Sequence, residues 1–378
     1  MIAILLAVFS PLIATDNTPD ANDQILELAN MSPGYTTQIL KVRKDREEPH
    51  TTWLQRIFKG IENPYTMIPI TGYAIEGNTL KANVYKGTYI PPSEQDFSLT
   101  DIAFAISLQD KNVSIANGEV FYKDYADKKA SISLKDLQQI VKAKHISSRK
   151  FYLGTDAYGR DILSRLLYGV RVSISVGFVA VLISLTIGIT LGSIAGYYRG
   201  RLDNIIMWFI NVVWAIPTVL LVMAISFALG SHIDSFWIIY IAVGLSMWVE
   251  VARIVRGQVM GVREMEYIQA AKGLGYNDFR TITRHVLPNI IGPIMVVSAS
   301  DFASAILIEA GLSMLGIGVR PPMPSWGVML NEHHNYLFTE GKAFLALIPG
   351  LCIMTMVLAF NLLGNGLRDA FDVKGRLE

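Results

Sequence analysis

Residues 172–198, VSISVGFVAVLISLTIGITLGSIAGYY, run for 27 positions without a charge. A helix needs about 20 mostly apolar residues to cross roughly 30 Å of hydrocarbon, so this stretch is read as a membrane span. Working outward, 204–233 is also uncharged, and 235–249 extends to Ala252 with Glu250 as its sole acid. Residues 286–308 carry only Asp301, and 343–367 carry no charge. These make five spans. The opening MIAILLAVFSPLIAT is apolar to Ala14, roughly 21 Å as a helix, too short to cross alone. A signal peptide would suit that length, but no basic n-region or A-x-A site accompanies it. It is read as a first transmembrane helix lacking its N-terminal turns.

Lys and Arg in the short loops set the orientation. One side holds Arg199, Arg201, Arg253, Arg256, Arg263, Lys272, Arg280, Arg284, Arg368, Lys374 and Arg376; the other holds only Arg320 and Lys342. The first side is therefore expected to be cytoplasmic. Six spans then put the C-terminus in the cytoplasm and residues 16–150 outside the cell.

That segment differs in composition. The chain is 17% charged with a net charge of +1, but 34 of the 135 residues in 16–150, about 25%, are charged, against about 13% elsewhere. The first figure is that of a soluble domain. A charge near zero gives no footprint for nucleic acid, and a single cysteine, Cys352, excludes an internal disulfide. Within the segment, Ala74 to Tyr89 reads as strands paired about Gly77-Asn78, and Ile102 to Leu108 alternates weakly. Ser133-Leu-Lys-Asp136 reads as a capped helix start. The mixture predicts an α+β domain. The run KVRKDREEP, 41–49, with Pro49-His50, reads as a solvated linker.

No G-x-x-x-x-G-K-[ST] or H-E-x-x-H occurs, so neither a phosphate-binding loop nor that zinc motif is present. The densest His/acid cluster is Asn331-Glu332-His333-His334. A metal site there is the alternative to an interfacial polar loop, and the loop is favoured because catalytic zinc normally takes three protein ligands and spacing supplies no third. No cofactor is expected. Asp301 and Glu309 are costly in an apolar span and should face protein or water. For Asp301, a place on a translocation path and a packing role against Ser298, Ser304 or a neighbouring subunit weigh equally. Glu250 is close enough to Arg253 to pair with it.

The cytoplasmic loop 253–288 reads as two short helices. The first runs from Glu266 to Lys272, with Ala270 and Ala271 small enough for another surface to approach. Gly273 and Gly275 can end it; Asn277 and Asp278 can cap the second, which ends by Leu287, before Pro288. Such a protrusion suits docking into a partner's groove; the alternative is an amphipathic helix lying on the bilayer.

Segment 265–289, MEYIQAAKGLGYNDFRTITRHVLPN, resembles the E-A-A loop of permease subunits in binding-protein-dependent ABC importers, with Ala270, Ala271, Gly275, Leu287 and Pro288 at the family spacing. LGTDAYGRDILSRLLYG (153–169), WVEVARIVRGQV (248–259), IEAGLSMLGIGVRPPMPSWG (308–327) and AFNLLGNGLRD (359–369) resemble the second permease of the peptide/nickel branch. The resemblance implies an all-α, six-helix permease of the type I ABC importer kind; the α+β extracytoplasmic insertion between helices 1 and 2 departs from it, being far longer than the connection usual there and matching no family motif. The corresponding regions are 1–15, 16–150 and 151–378. It also implies partners: a second related permease, two cytoplasmic ATPases, an extracytoplasmic substrate-binding protein and membrane lipid. The chain would not be an enzyme itself. Glu266, Tyr267, Gln269, Ala270, Ala271, Gly273, Gly275, Leu287 and Pro288 would couple it to an ATPase, and Asp301 and Glu309 are candidates for the path. Gln269 stands where the family motif has glutamate. The competing expectation is a membrane-anchored scaffold or receptor whose external domain is the active part. A secondary transporter is disfavoured, because matching Gly/Pro-broken spans are not seen in the two halves.

Overall fold

A computed structural model describes residues 2–46, 52–53, 60–106, 113–230 and 235–371. Residues 47–50, ending the charged run, and 107–108, ending the alternating stretch, lie outside them, as do Lys374 and Arg376. The chain divides into two units, residues 1–168 with 339–342, and 169–338 with 343–378.

The first unit opens with α1 (Ile2–Ile13) and then builds strands β1 (Tyr35–Arg43), β2 (Tyr65–Glu76), β3 (Thr79–Val84) and β4 (Ser93–Ser98), followed by α2 (Leu99–Ala103). Strands β5 (Ser114–Ala116), β6 (Glu119–Lys123) and β7 (Lys129–Ser133) come next, then α3 (Leu134–Ile140) and β8 (Ile146–Phe151). One sheet has the order β4-β3-β2-β1-β8 and the other β5-β6-β7, with antiparallel neighbours throughout. The turn Gly77-Asn78 joins β2 to β3, where Glu76 faces Thr79. Along β3, Leu80, Ala82 and Val84 are buried, the period-two pattern that puts one face of a strand on a core. They meet Leu40, Ile70, Leu99, Ile102 and Leu137 there. At the start of α3 the Asp136 amide donates to Ser133 Oγ at 3.1 Å. The Ser133 hydroxyl in turn donates to the Asp136 carboxylate at 2.8 Å.

Helix α4 (Ile162–Tyr198) has 37 residues and begins ten positions before the charge-free run. Its first turn is held by Asp161, whose Oδ2 accepts the Ser164 amide at 3.1 Å, and Arg165 is buried there. A search for charge-free runs misses this beginning because Arg165 and Arg171 interrupt it. Helices α5 (Gly200–Trp214) and α6 (Thr218–Leu229) follow and are bent by 93° to one another. The span expected over 204–233 therefore forms, in its described part to Gly230, two helices about Ala215-Ile216-Pro217. Pro217 carries no N–H for a continuing helix and pushes Ile216 out of the helical region.

Helices α7 (Ser235–Arg263), α8 (Glu266–Gly273), α9 (Asp278–Thr281) and α10 (Leu287–Asn289) come next, then α11 (Ile291–Met314), α12 (Trp326–His333) and α13 (Phe344–Phe371). Among the described residues α4, α7, α11 and α13 are long and apolar enough to cross a membrane, and the bent pair would make a fifth span. Helix α1 has 12 residues and contains Pro11. Gly188, Gly192 and Gly196 repeat every fourth residue on the face of α4 that meets α7. A Cβ on them would lie 2.6 Å from Val251, 2.5 Å from the Ala252 carbonyl and 2.7 Å from the Arg256 carbonyl. Small residues at this spacing let two backbones touch. Arg256 fastens α5 to α7 by a two-pronged pair with Asp203, at 2.6 and 2.7 Å.

Candidate functional site

The turn between α7 and α11 owes its shape to three local devices. Gly275 has φ +79°, a conformation that a Cβ penalises. Its amide donates to the Lys272 carbonyl at 2.9 Å, and the Tyr276 amide donates to Ala271 at 3.2 Å, which closes α8 as a Schellman cap. Gly275 is therefore the cap, whereas Gly273 is still helical. Asn277 then starts α9 by accepting the Arg280 amide at 2.8 Å. Beyond it, Ile282–Val286 forms a wide π turn, and helical structure continues through Pro288 to Asn289. The expected stop before Pro288 is not found. The proline sits in the first turn of α10, where its missing N–H is not required.

The two faces of this turn differ. Ile268 and Ala271 point inward and are buried. Ile268 joins Tyr197, Val251, Val255, Val259, Val286, Ile290 and Ile294 in one cluster, with Leu287 against its rim. Glu266, Tyr267, Gln269, Ala270, Gly273, Gly275 and Pro288 are exposed. The two alanines expected to admit a partner thus divide. Ala270 faces out, and Ala271, 5% exposed, faces its own core three residues from Ile268, on the same side of the helix. Gln269 donates to the Arg263 carbonyl at 3.4 Å, a bond for which a glutamate has no proton.

Three residues not singled out from the sequence complete the outer surface. Met265, Leu274 and Phe279 are 52%, 75% and 76% exposed. Sequence alone does not separate them from the buried Ile268 and Val286 of the same loop. Tyr276 stacks on His285 with ring centres 5.6 Å apart, and the Arg280 guanidinium lies 4.3 Å from the Tyr276 ring centre. The outer face therefore offers apolar and cationic groups for binding.

Asp301 and Glu309 lie on α11 and are buried, 4% and 0% exposed. Ser184 of α4 donates to Asp301 at 3.4 Å, and Ser313 donates to Glu309 at 2.7 Å. Ser298, a candidate partner for Asp301, donates instead to the Ile294 carbonyl of its own helix at 2.7 Å. Glu250 is exposed. The guanidinium of Arg253, its expected partner, lies over Trp214 at 4.1 Å and donates to Asn211 at 2.6 Å. His333 and His334 diverge: the first is buried with Nδ1 on the Met329 carbonyl, the second exposed with Nδ1 on the Asn331 carbonyl, both at 2.7 Å.

Residues 188–376 match the family described as binding-protein-dependent transport system inner membrane component. The glutathione transport system permease protein GsiD of Pectobacterium atrosepticum is 41% identical over 227 residues, 60% of this chain and 74% of that protein. The dipeptide transport system permease protein DppC of Bacillus subtilis is 39% identical over 229 residues, 61% of this chain and 70% of that protein. Among solved structures, an inward-facing MetNI methionine ABC transporter chain aligns at 12% identity with a TM-score of 0.43, over 53% of this chain and 94% of that one.

Proposed function

The chain belongs to the family of binding-protein-dependent transport system inner membrane components and is a permease subunit of such an ABC importer, and from that premise we propose that it forms, with a second related permease, a path for peptides. The names of its relatives, dipeptide and glutathione permeases among them, support that substrate class. Two cytoplasmic ATPases supply the energy and an external binding protein delivers the substrate. The turn carrying Glu266, Tyr267, Gln269, Ala270 and Gly275 docks in a cleft of one ATPase. The carrying observation is the exposure of Leu274 and Phe279 on a turn whose opposite face is anchored by buried Ile268. A membrane-anchored scaffold acting through its external domain has no use for such a surface.

In this reading there are six spans, with α1 first and the bent pair counted as one. The C-terminus is cytoplasmic, and 16–150 is an external α+β insertion that receives the binding protein or shields the mouth of the path. The loop charges support that orientation. Asp301 and Glu309 belong to the wall of the path, a role supported by the cost of placing acids in apolar helices without one. Gly275→Pro tests the coupling role in the complete importer reconstituted in vesicles. Proline cannot take positive φ, so the cap fails while Ile268 keeps its place. Uptake is expected to fall at least about tenfold, equivalent to roughly 1.4 kcal/mol, with the chain still inserted. Wild-type uptake would overturn the coupling role.

A further inference from the structure

Tyr197 stands at the end of α4, buried, in the same cluster as Ile268 of α8 and Val286 and Ile290 beyond α9. Its hydroxyl donates to Asp278 Oδ1, the first residue of α9, at 2.9 Å. The Lys272 ammonium of α8 lies 4.9 Å from its ring centre and the Arg263 guanidinium of α7 lies 5.6 Å from it. Arg263 also donates to the Tyr197 carbonyl. One side chain on α4 is therefore engaged by both helices of the turn and by the helix that leads into it. Two residues on, Arg199 donates to the Met260 carbonyl at 3.2 Å and pairs with Glu264 at 2.8 Å. Since Gly188, Gly192 and Gly196 press the α4 backbone onto α7, α4 has little freedom to slide when the turn moves.

We infer that Tyr197 is a positioning residue that transmits displacement of the 266–288 turn to α4, through its hydroxyl bond to Asp278 and its ring contact with Lys272. The inference rests on the coupling role proposed above. It adds a second route into the membrane helices, beside the direct covalent links of the turn to α7 and α11. A hydrogen bond to a charged acceptor is among the stronger noncovalent links available, and its partner here begins a helix, where an acid is favourably placed.

The test uses the complete importer in proteoliposomes and reads substrate taken up per ATP hydrolysed. A defect in folding or assembly lowers both rates together and leaves that ratio unchanged. Tyr197→Phe removes the hydroxyl and keeps the ring; Asp278→Asn keeps the shape and removes the charge. Each is expected to lower the ratio severalfold, and the double variant to lower it no further, because both act on one bond. A wild-type ratio in Tyr197→Phe, or losses that multiply in the double variant, would overturn the inference. Should Tyr197→Phe fail to assemble, Asp278→Asn decides by the same ratio. Gly275→Pro in the same vesicles separates the two readings. If it uncouples while Tyr197→Phe does not, only the transmitting role of Tyr197 fails; if it leaves uptake and ratio intact, the coupling turn itself is refuted.

Discussion

His145 is a buried base in a positive neighbourhood. Its Nδ1–H donates to the Lys41 carbonyl at 2.8 Å, and its ring meets Tyr65 edge-on with centres 5.5 Å apart. Burial is the main cause holding its pKa below the usual histidine value; the bond to Lys41 opposes this, and the charges of Lys41, Arg43 and Lys144 reinforce it. In the unfolded chain the same imidazole titrates near 6.5. As pH falls below about 6.5 the unfolded chain binds a proton that the folded chain refuses, so stability is complete above that value and declines below it. The thermal midpoint of the full chain in detergent is expected to be lower at pH 5 than at pH 7.5. His145→Gln, whose amide can still donate to Lys41, should narrow that gap; an unchanged gap would exclude His145 as the titrating group. This residue could not be found from sequence, because its burial depends on β1 and β2, more than sixty residues away along the chain.

At the scale of elements, α8 shows what a helix face decides. Leucine at Ala271 would enter a filled core, where added methylenes cost typically about 1–3 kcal/mol, whereas leucine at Ala270 meets solvent. Ala271→Leu is thus expected to lower the thermal midpoint of the isolated chain, and Ala270→Leu to leave it in place while impairing uptake in the assembled importer. Equal midpoints for the two would contradict the assignment of faces. The start at Asn277 and the turn at Gly77 were legible in the sequence, because each follows from one residue type acting on its own backbone, whereas the cap was legible only as Gly273 or Gly275. The division of Ala270 from Ala271 was legible only through the three-residue spacing of Ile268 and Ala271. The Gly188, Gly192 and Gly196 repeat stands openly in the sequence, but its meaning lies in Val251, Ala252 and Arg256 on another helix. The bend at Pro217 was masked by uniform hydropathy on both sides of it, and the early start of α4 by the buried charge of Arg165.

For the whole molecule, composition divides the chain near residue 150, whereas its contacts divide it near residue 168. The difference arises because charge marks which surfaces are solvated, while packing follows the chain through the Asp161 cap and into the first turns of α4. Composition is also what carries the proposed orientation: eleven Lys and Arg residues fall between or beside the apolar runs at one set of ends, and two fall at the short connections opposite. This bias fixes topology through short loops and leaves large domains exempt, so it predicts opposite sides for Tyr89 in the first unit and Leu274 in the turn. Both side chains are well exposed, 98% and 75%, and cysteine at either is open to reagent. The native Cys352 lies within α13 and is half-buried, so both variants are made in a Cys352→Ser background. Tyr89→Cys is expected to be labelled on intact cells and Leu274→Cys only after permeabilisation. The reverse pattern would invert the orientation and place the exposed turn outside the cell, where no ATP-hydrolysing partner could drive it.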